Sequence, residues 1–145
     1  MVFGIFDKSD EKIQELIDNK EFDELPTDVI DELAAELIVT TEMSLDGYNI
    51  LQRIDIITSE CVFGMNIFRD MFAGIRDIFG GRSSASQKVL RDARRTCLTE
   101  IRRKALIVVA DAVIAVDLDY SEISGDGKSM LLVVTSGTAC RVEKR

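Results

Sequence analysis

Residues 85–108 read ASQKVLRDARRTCLTEIRRKALIV, and this stretch decides the fold. Leu90, Ala93, Cys97, Ile101, Ala105 and Val108 recur at spacings of three or four, which draws one apolar stripe along a long helix. The opposite side carries Lys88, Arg91, Arg94, Arg95, Arg102, Arg103 and Lys104 against Asp92 and Glu100. Ser83 or Ser84 is placed to cap its start. A helix with a single apolar stripe needs one apolar layer beneath it, and the flanking sequence supplies strands.

Downstream, residues 113–120 read as a strand, Ser124-Gly125-Asp126-Gly127 as a hairpin turn, and residues 130–135 and 137–142 as two returning strands. Upstream, residues 37–41 are a short β-branched run and Asp46-Gly47 signals a turn. Residues 48–58 alternate, with Ile50, Ile54 and Ile56 on one side, and 60–65 form a third short strand. Strands, helix, strands predict a two-layer α+β domain with one long helix on a sheet. Between the halves, Ile67, Phe68, Met71, Phe72, Ile75, Ile78 and Phe79 share a helical face, and Gly80-Gly81 ends that segment. Phe68, Met71, Phe72, Ile75 and Phe79 are more apolar surface than a small domain needs for itself, which makes them candidates for an oligomer interface.

The chain of 145 residues carries 26 acidic and 18 basic side chains, a net charge of −8. The charge is uneven: residues 1–36 hold 12 acidic and 3 basic side chains, while residues 37–145 hold 14 and 15. The expected organisation is an acidic helical arm over 1–36 and a near-neutral domain over 37–145. In the arm, Ser9 is placed to cap a helix over 10–19 carrying Ile13, Leu16 and Ile17. Thr27, after Pro26, caps a second that carries Val29, Ile30, Leu33 and Leu37. Helices this short are below the ~12–15 residues at which isolated helices become marginal, so both should dock. They serve either as a cap on their own domain or as an element for a protein partner or for oligomerisation. One expected mode lays Glu11, Glu15, Asp18, Asp28, Asp31 and Glu32 against Arg91, Arg95 and Arg102, in the same subunit or the next.

The chain has no histidine. That removes Ser-His-Asp and Cys-His nucleophile systems, imidazole general bases and His-ligated zinc. Cys61, Cys97 and Cys140 are odd in number and far apart, without a Cys-x-x-Cys pair, and read as free buried thiols in a reduced, cytoplasmic compartment. The N-terminus lacks the basic and apolar regions of a signal peptide, and no apolar run approaches the ~20 residues that span a bilayer. The acidic arm and the lack of aromatic residues among the basic ones argue against nucleic acid as a partner.

A set of blocks runs through the domain. Ile38-Val39-Thr40-Thr41 opens it, followed by Gly64-x-Asn66-x-Phe68-x-Asp70, Ala73-Gly74-Ile75-Arg76-Asp77 and Gly80-Gly81-Arg82-Ser83. Ala93-Arg94, Asp117-x-Asp119-Tyr120 and Ser136-Gly137-Thr138-Ala139 complete it. In this order and spacing, over about residues 37–142, they resemble the YbjQ-like family of small bacterial proteins, labelled heavy-metal-binding and of unknown function. The resemblance implies a β-β-α-β-β subunit similar to dodecin-like folds, assembling into a closed homo-oligomeric ring, usually a pentamer, and implies no established activity. The chain departs from the family pattern at Ser59-Glu60, where Gly-Glu is usual, at Ser86, where an aromatic residue is usual, and at Ala110-Asp111, where Gly-Ala-Asn is usual.

Two sets of residues are candidates for binding. Soft metals want thiolate or imidazole clusters, and the sequence offers no histidine and no close cysteine pair. Asp117 and Asp119 point to one side of a strand and, with Glu60 from a neighbouring strand or subunit, could hold a hard divalent cation. Gly80, Gly81, Arg82 and Ser83 before a helix form a candidate anion site through converging backbone N–H groups and a guanidinium. The leading expectation is a non-enzymatic, homo-oligomeric binding or scaffolding protein that needs no cofactor. The alternatives are a metal-binding protein, and an enzyme using Glu60, Asp117 and Asp119 on an anionic substrate held by Arg82.

Overall fold

The computed structural model describes residues 8–64, 84–125 and 128–145. The long helix, α3 (Ser84–Ile107), is preceded by α1 (Lys8–Asp18), a 3-10 turn at Phe22–Glu24, and α2 (Thr27–Ala35). The strands are β1 (Ile38–Val39), β2 (Tyr48–Phe63), β3 (Ala112–Gly125) and β4 (Lys128–Lys144). They form one four-stranded sheet in the order β1-β3-β4-β2, with β1 parallel to β3 and the other pairs antiparallel. The described residues are thus a mixed α+β arrangement with α3 across one face of the sheet. The expected helix over 67–79 and the Gly80–Ser83 loop lie outside the described residues, as do Phe68, Met71, Phe72, Ile75 and Phe79.

The buried row of α3 is Val89, Ala93, Cys97, Ile101 and Ala105, each at most 1% exposed. The row follows the i, i+4 ridge, which winds slowly around the helix and suits a twisted sheet. The expected stripe is therefore corrected at its N-terminal end: Leu90 is exposed, and Val89 takes the inward place against Leu131 and Val133. At the other end Ile101, Ala105 and Leu106 join Ile57, Val113, Val116 and Ala139, together with Ala34 and Leu37 from the arm side.

The strands are fewer and longer than the sequence suggests. The expected break at Ser59 is absent: Tyr48–Phe63 is one strand, because Ser59 at the seam is buried and donates its hydroxyl to the Cys97 carbonyl at 2.8 Å instead of turning the chain. Residues 130–135 and 137–142 are likewise continuous, and Gly137 is the reason. Ile114 pairs with Thr138 and Asp117 with Ser136, so Ala115 and Val116 form a bulge opposite Gly137 alone. A Cβ on Gly137 would lie 2.6 Å from Val113 Cγ1 and 3.1 Å from Val116 Cγ2. The bulge turns Ala115 to φ 52°, where its N–H bonds the Glu42 carbonyl at 2.8 Å and the Val116 N–H bonds that of Thr40 at 3.0 Å.

Both described arm helices form, with caps that differ from expectation. Ser9 lies inside the first turn of α1, and Pro26 holds the cap position of α2 without a side-chain bond, leaving Thr27 as its first helical residue. Two residues beyond its helix, Lys20 follows α1 at φ 60° and Val109 follows α3 at φ 61°. In each case that residue's amide and the next reach back to close the last turn: Lys20 and Glu21 onto Ile17 and Leu16, Val109 and Ala110 onto Leu106 and Ala105. α1 buries no residue, whereas α2 seats Ala34 against the domain core with Ile30, Leu33 and Phe22 beside it.

Candidate functional site

The parity of β3 fixes where its acidic residues point. Before the bulge the odd-numbered Val113 faces α3, and after it the even-numbered Val116 and Leu118 do. Asp117 and Asp119 are thereby turned to the opposite face of the sheet, and both are exposed. Glu60 pairs with Val134, which pairs in turn with Asp119, so Glu60 shares that face. The central strand separates them: Glu60 and Asp119 stand two strand spacings apart, roughly 9.5 Å. Asp117 sits in the neighbouring row, beside Ser136 and Thr58. The structure brings the three carboxylates to one surface and does not bring them into one cluster. Among the described residues no group of three or more acidic, Cys or His side chains is gathered for a metal ion. Gly80, Gly81, Arg82 and Ser83 lie outside the described residues.

The surface that carries Glu60, Asp117 and Asp119, with Thr58, Ser121 and Ser136, also exposes apolar side chains. Ile56 is 73% exposed and Val62 59%, and Ile123 and Met130 continue the patch at the far end. By register with these residues, Leu132 and Val134 of the central strand lie between them, half-buried. Loop residue Leu45 covers only the β1 end of this face, with Ile114, Ala112 and Cys140.

The basic side of α3 is divided between two settings. Arg103 forks onto Asp31 of α2, with Nη2 donating to Oδ2 at 2.8 Å and Nε to Oδ1, and its Nη1 lies 3.5 Å from Glu100. The guanidinium beside it holds the Asp31 carboxyl below the usual carboxylate range. The expected docking of acidic arm on basic helix is thus formed within the chain, but through Arg103 rather than Arg91, Arg95 or Arg102. α2 lies over the C-terminal half of α3, about 18 Å along the axis from Arg91. Arg102 borders the seam beside Ala34, Ala35 and Thr99, with its buried Nε unpartnered among the described residues. Arg91 and Arg94 instead line a shallow open depression with Gln87, Leu90 and Tyr120.

One arrangement escaped sequence reasoning. Cys61 and Cys97, remote in the chain, pack in one cluster between α3 and the sheet. Cys61 is opposite Val133 in the β2–β4 ladder, on the face beneath α3. Cys97, wholly buried, points its thiol at the Val133 carbonyl from above, with a sulfur–oxygen distance of 3.7 Å. Both thiols pack against the cluster of Val89, Ala93, Leu131 and Val133. The Cys61 thiol is pushed up to about 12, first by burial, then by the Cys97 thiol, then by the charges of Glu100 and Glu60. Thr135, the next central-strand residue on this face, keeps a fully buried hydroxyl without a partner among the described residues. Cys140 stands apart in the cluster around Leu45, donating to the Ala112 carbonyl at 3.6 Å, and its thiol is raised by burial. The signal available in sequence was slight: Cys97 lies on the apolar stripe, and Cys61 lies two residues from Ser59 on a strand. Neither position announces the other.

No helix among the described residues is long and apolar enough to cross a membrane. A family model described as "Putative heavy-metal-binding", YbjQ_1, matches residues 37–143. Among solved structures, a protein of unknown function from the DUF74 family of Pediococcus pentosaceus is similar, at 18% identity and a TM-score of 0.47, covering 74% of this chain and 98% of that one.

Proposed function

The chain belongs to the YbjQ-like family, and from that premise we propose that it acts as a homo-oligomeric binding or scaffolding domain, a closed ring of five copies in the cytoplasm, rather than as an enzyme. The observation that carries this reading is the sheet face opposite α3. Ile56, Val62, Ile123 and Met130 are each at least 40% exposed there, around half-buried Leu132 and Val134. Exposed apolar strand surface of this kind is costly in water and is relieved by burial against a different surface of a neighbouring copy, the head-to-tail contact that closes a ring. The spacing of Glu60 from Asp119 across the central strand argues against a single-chain acid–base pair. The same spacing leaves a hard divalent cation to be completed by carboxylates from a neighbouring copy. Three free thiols suit a reducing compartment.

Sedimentation velocity tests the reading. The expected species is five times the 16.2 kDa chain mass, and V62D should shift it toward the monomer. A monomer at micromolar concentration in the unaltered protein would overturn the proposal.

A further inference from the structure

We infer that α1 of one copy docks on the N-terminal half of α3 in a neighbouring copy, acidic row against basic row. The inference rests on the assembly proposed above and names a second contact within it, made by a helix that precedes residues 37–143 of the family match. In its own chain α1 packs on the 3-10 turn at Phe22–Glu24 and buries no residue. Its 11 residues fall short of the ~12–15 at which an isolated helix becomes marginal, so it depends on packing. Asp10, Glu11, Glu15 and Asp18 line an open depression along it with Ile13, and no described basic side chain joins them.

The N-terminal half of α3 is the complement. Arg103 holds α2 at Asp31, about 18 Å along the axis from Arg91, and leaves Lys88, Arg91, Arg94 and Arg95 exposed. None of the four makes an ion pair among the described residues. Arg91 and Arg94 border their depression with Leu90 and Tyr120, 40% and 43% exposed, apolar surface that a helix laid there would cover. The spacing sets the register. Lys88, Arg91 and Arg95 are separated by three and then four residues, and Asp18, Glu15 and Glu11 repeat those intervals when read backwards. Each row is roughly 10.5 Å long, so an antiparallel α1 sets Asp18 on Lys88, Glu15 on Arg91 and Glu11 on Arg95. Gln14 donates to Asp18 Oδ1 at 2.9 Å, which leaves Oδ2 for the lysine. Two different surfaces that complement each other join copies head to tail, the contact that closes a ring.

The test is zero-length carbodiimide cross-linking of the full chain, read on a denaturing gel and by mass spectrometry of the linked peptides. The expected product is a two-chain band in which an α1 carboxylate is joined to Lys88. K88R, which keeps the charge but removes the amine, should lose that link. R91E/R94E, at two exposed positions, should lower its yield at least about tenfold, and adding E11K/E15K to that variant should restore it. Salt near 1 M, where charges are screened beyond ~3 Å, should lower the yield as well. Sedimentation of the same samples separates the two proposals. An assembled protein without the link, a link confined to the one-chain band, or an unchanged yield in R91E/R94E would overturn the docking alone. A monomer would overturn the ring and the docking together.

Discussion

Asp31 on α2 and Arg103 on α3 meet through two parallel hydrogen bonds, the only ion pair among the described residues that joins the acidic arm to the domain. It sits at the edge of a seam in which Ala34 is buried against the core, so charge sets the register of α2 while apolar contact supplies the attachment. Asp31's carboxyl is held below its ordinary value by Arg103. The pair therefore contributes at pH values above the ~3.9 of an unfolded aspartate and is lost as pH falls through the lowered folded value. D31N should speed amide exchange in α2 at neutral pH. The difference from the unaltered protein should shrink in acid, and also in high salt, because the pair is part-exposed. Equal exchange rates for the two proteins at neutral pH and low salt would show that the pair does not hold α2.

Gly137 should not tolerate a side chain. The methyl of G137A would meet Val113 Cγ1 and Val116 Cγ2, two buried branched side chains on the bulged strand. Overpacking of this kind costs about 1–3 kcal/mol. Urea unfolding of G137A should show that loss, and an unchanged midpoint would mean that the bulge is plastic.

Ser59 and Thr135 sit side by side in the ladder and should respond oppositely. Ser59 donates to the Cys97 carbonyl, so S59A should cost about 1 kcal/mol. Thr135 buries a hydroxyl without a partner among the described residues, so the isosteric T135V should be neutral or stabilising by up to about 1 kcal/mol. Denaturation midpoints of the two variants check the sign of each change. A large loss in T135V would reveal a partner for that hydroxyl.

Val109 closes α3 in the left-handed conformation that a β-branched residue adopts only at a cost of about 1–2 kcal/mol. Glycine is the usual residue at this position after a helix. V109G should raise the thermal midpoint, by the equivalent of about 1 kcal/mol once the entropy of a freer unfolded chain is subtracted. A lower midpoint would show that the half-buried valine side chain contributes more than its backbone strain costs.

Much of the architecture is legible in residues alone. The spacing of Ala93, Cys97, Ile101 and Ala105 dictates a long helix with one buried side, and β-branched runs dictate the strands around it, because local periodicity acts on near neighbours. The same is true of the acidic arm, whose charge is a matter of composition, and of family membership, which rests on ordered blocks.

Other features depend on contacts between distant residues. Whether Ser59 or Ser136 breaks a strand is settled by what each faces, so the short strands merged into long ones. The side on which Asp117 and Asp119 emerge was settled by one extra residue opposite Gly137, since a bulge reverses every later side chain. Arg103, not Arg91, met the arm because α2 crosses α3 at that level. That Cys61 and Cys97 share one cluster follows from laying α3 across the β2–β4 ladder. Sequence determined that α3 had to bury one side against strands; only the tertiary structure decided which residues fill that side and which of them touch, because contact across elements depends on register and crossing, and neither is encoded within one element.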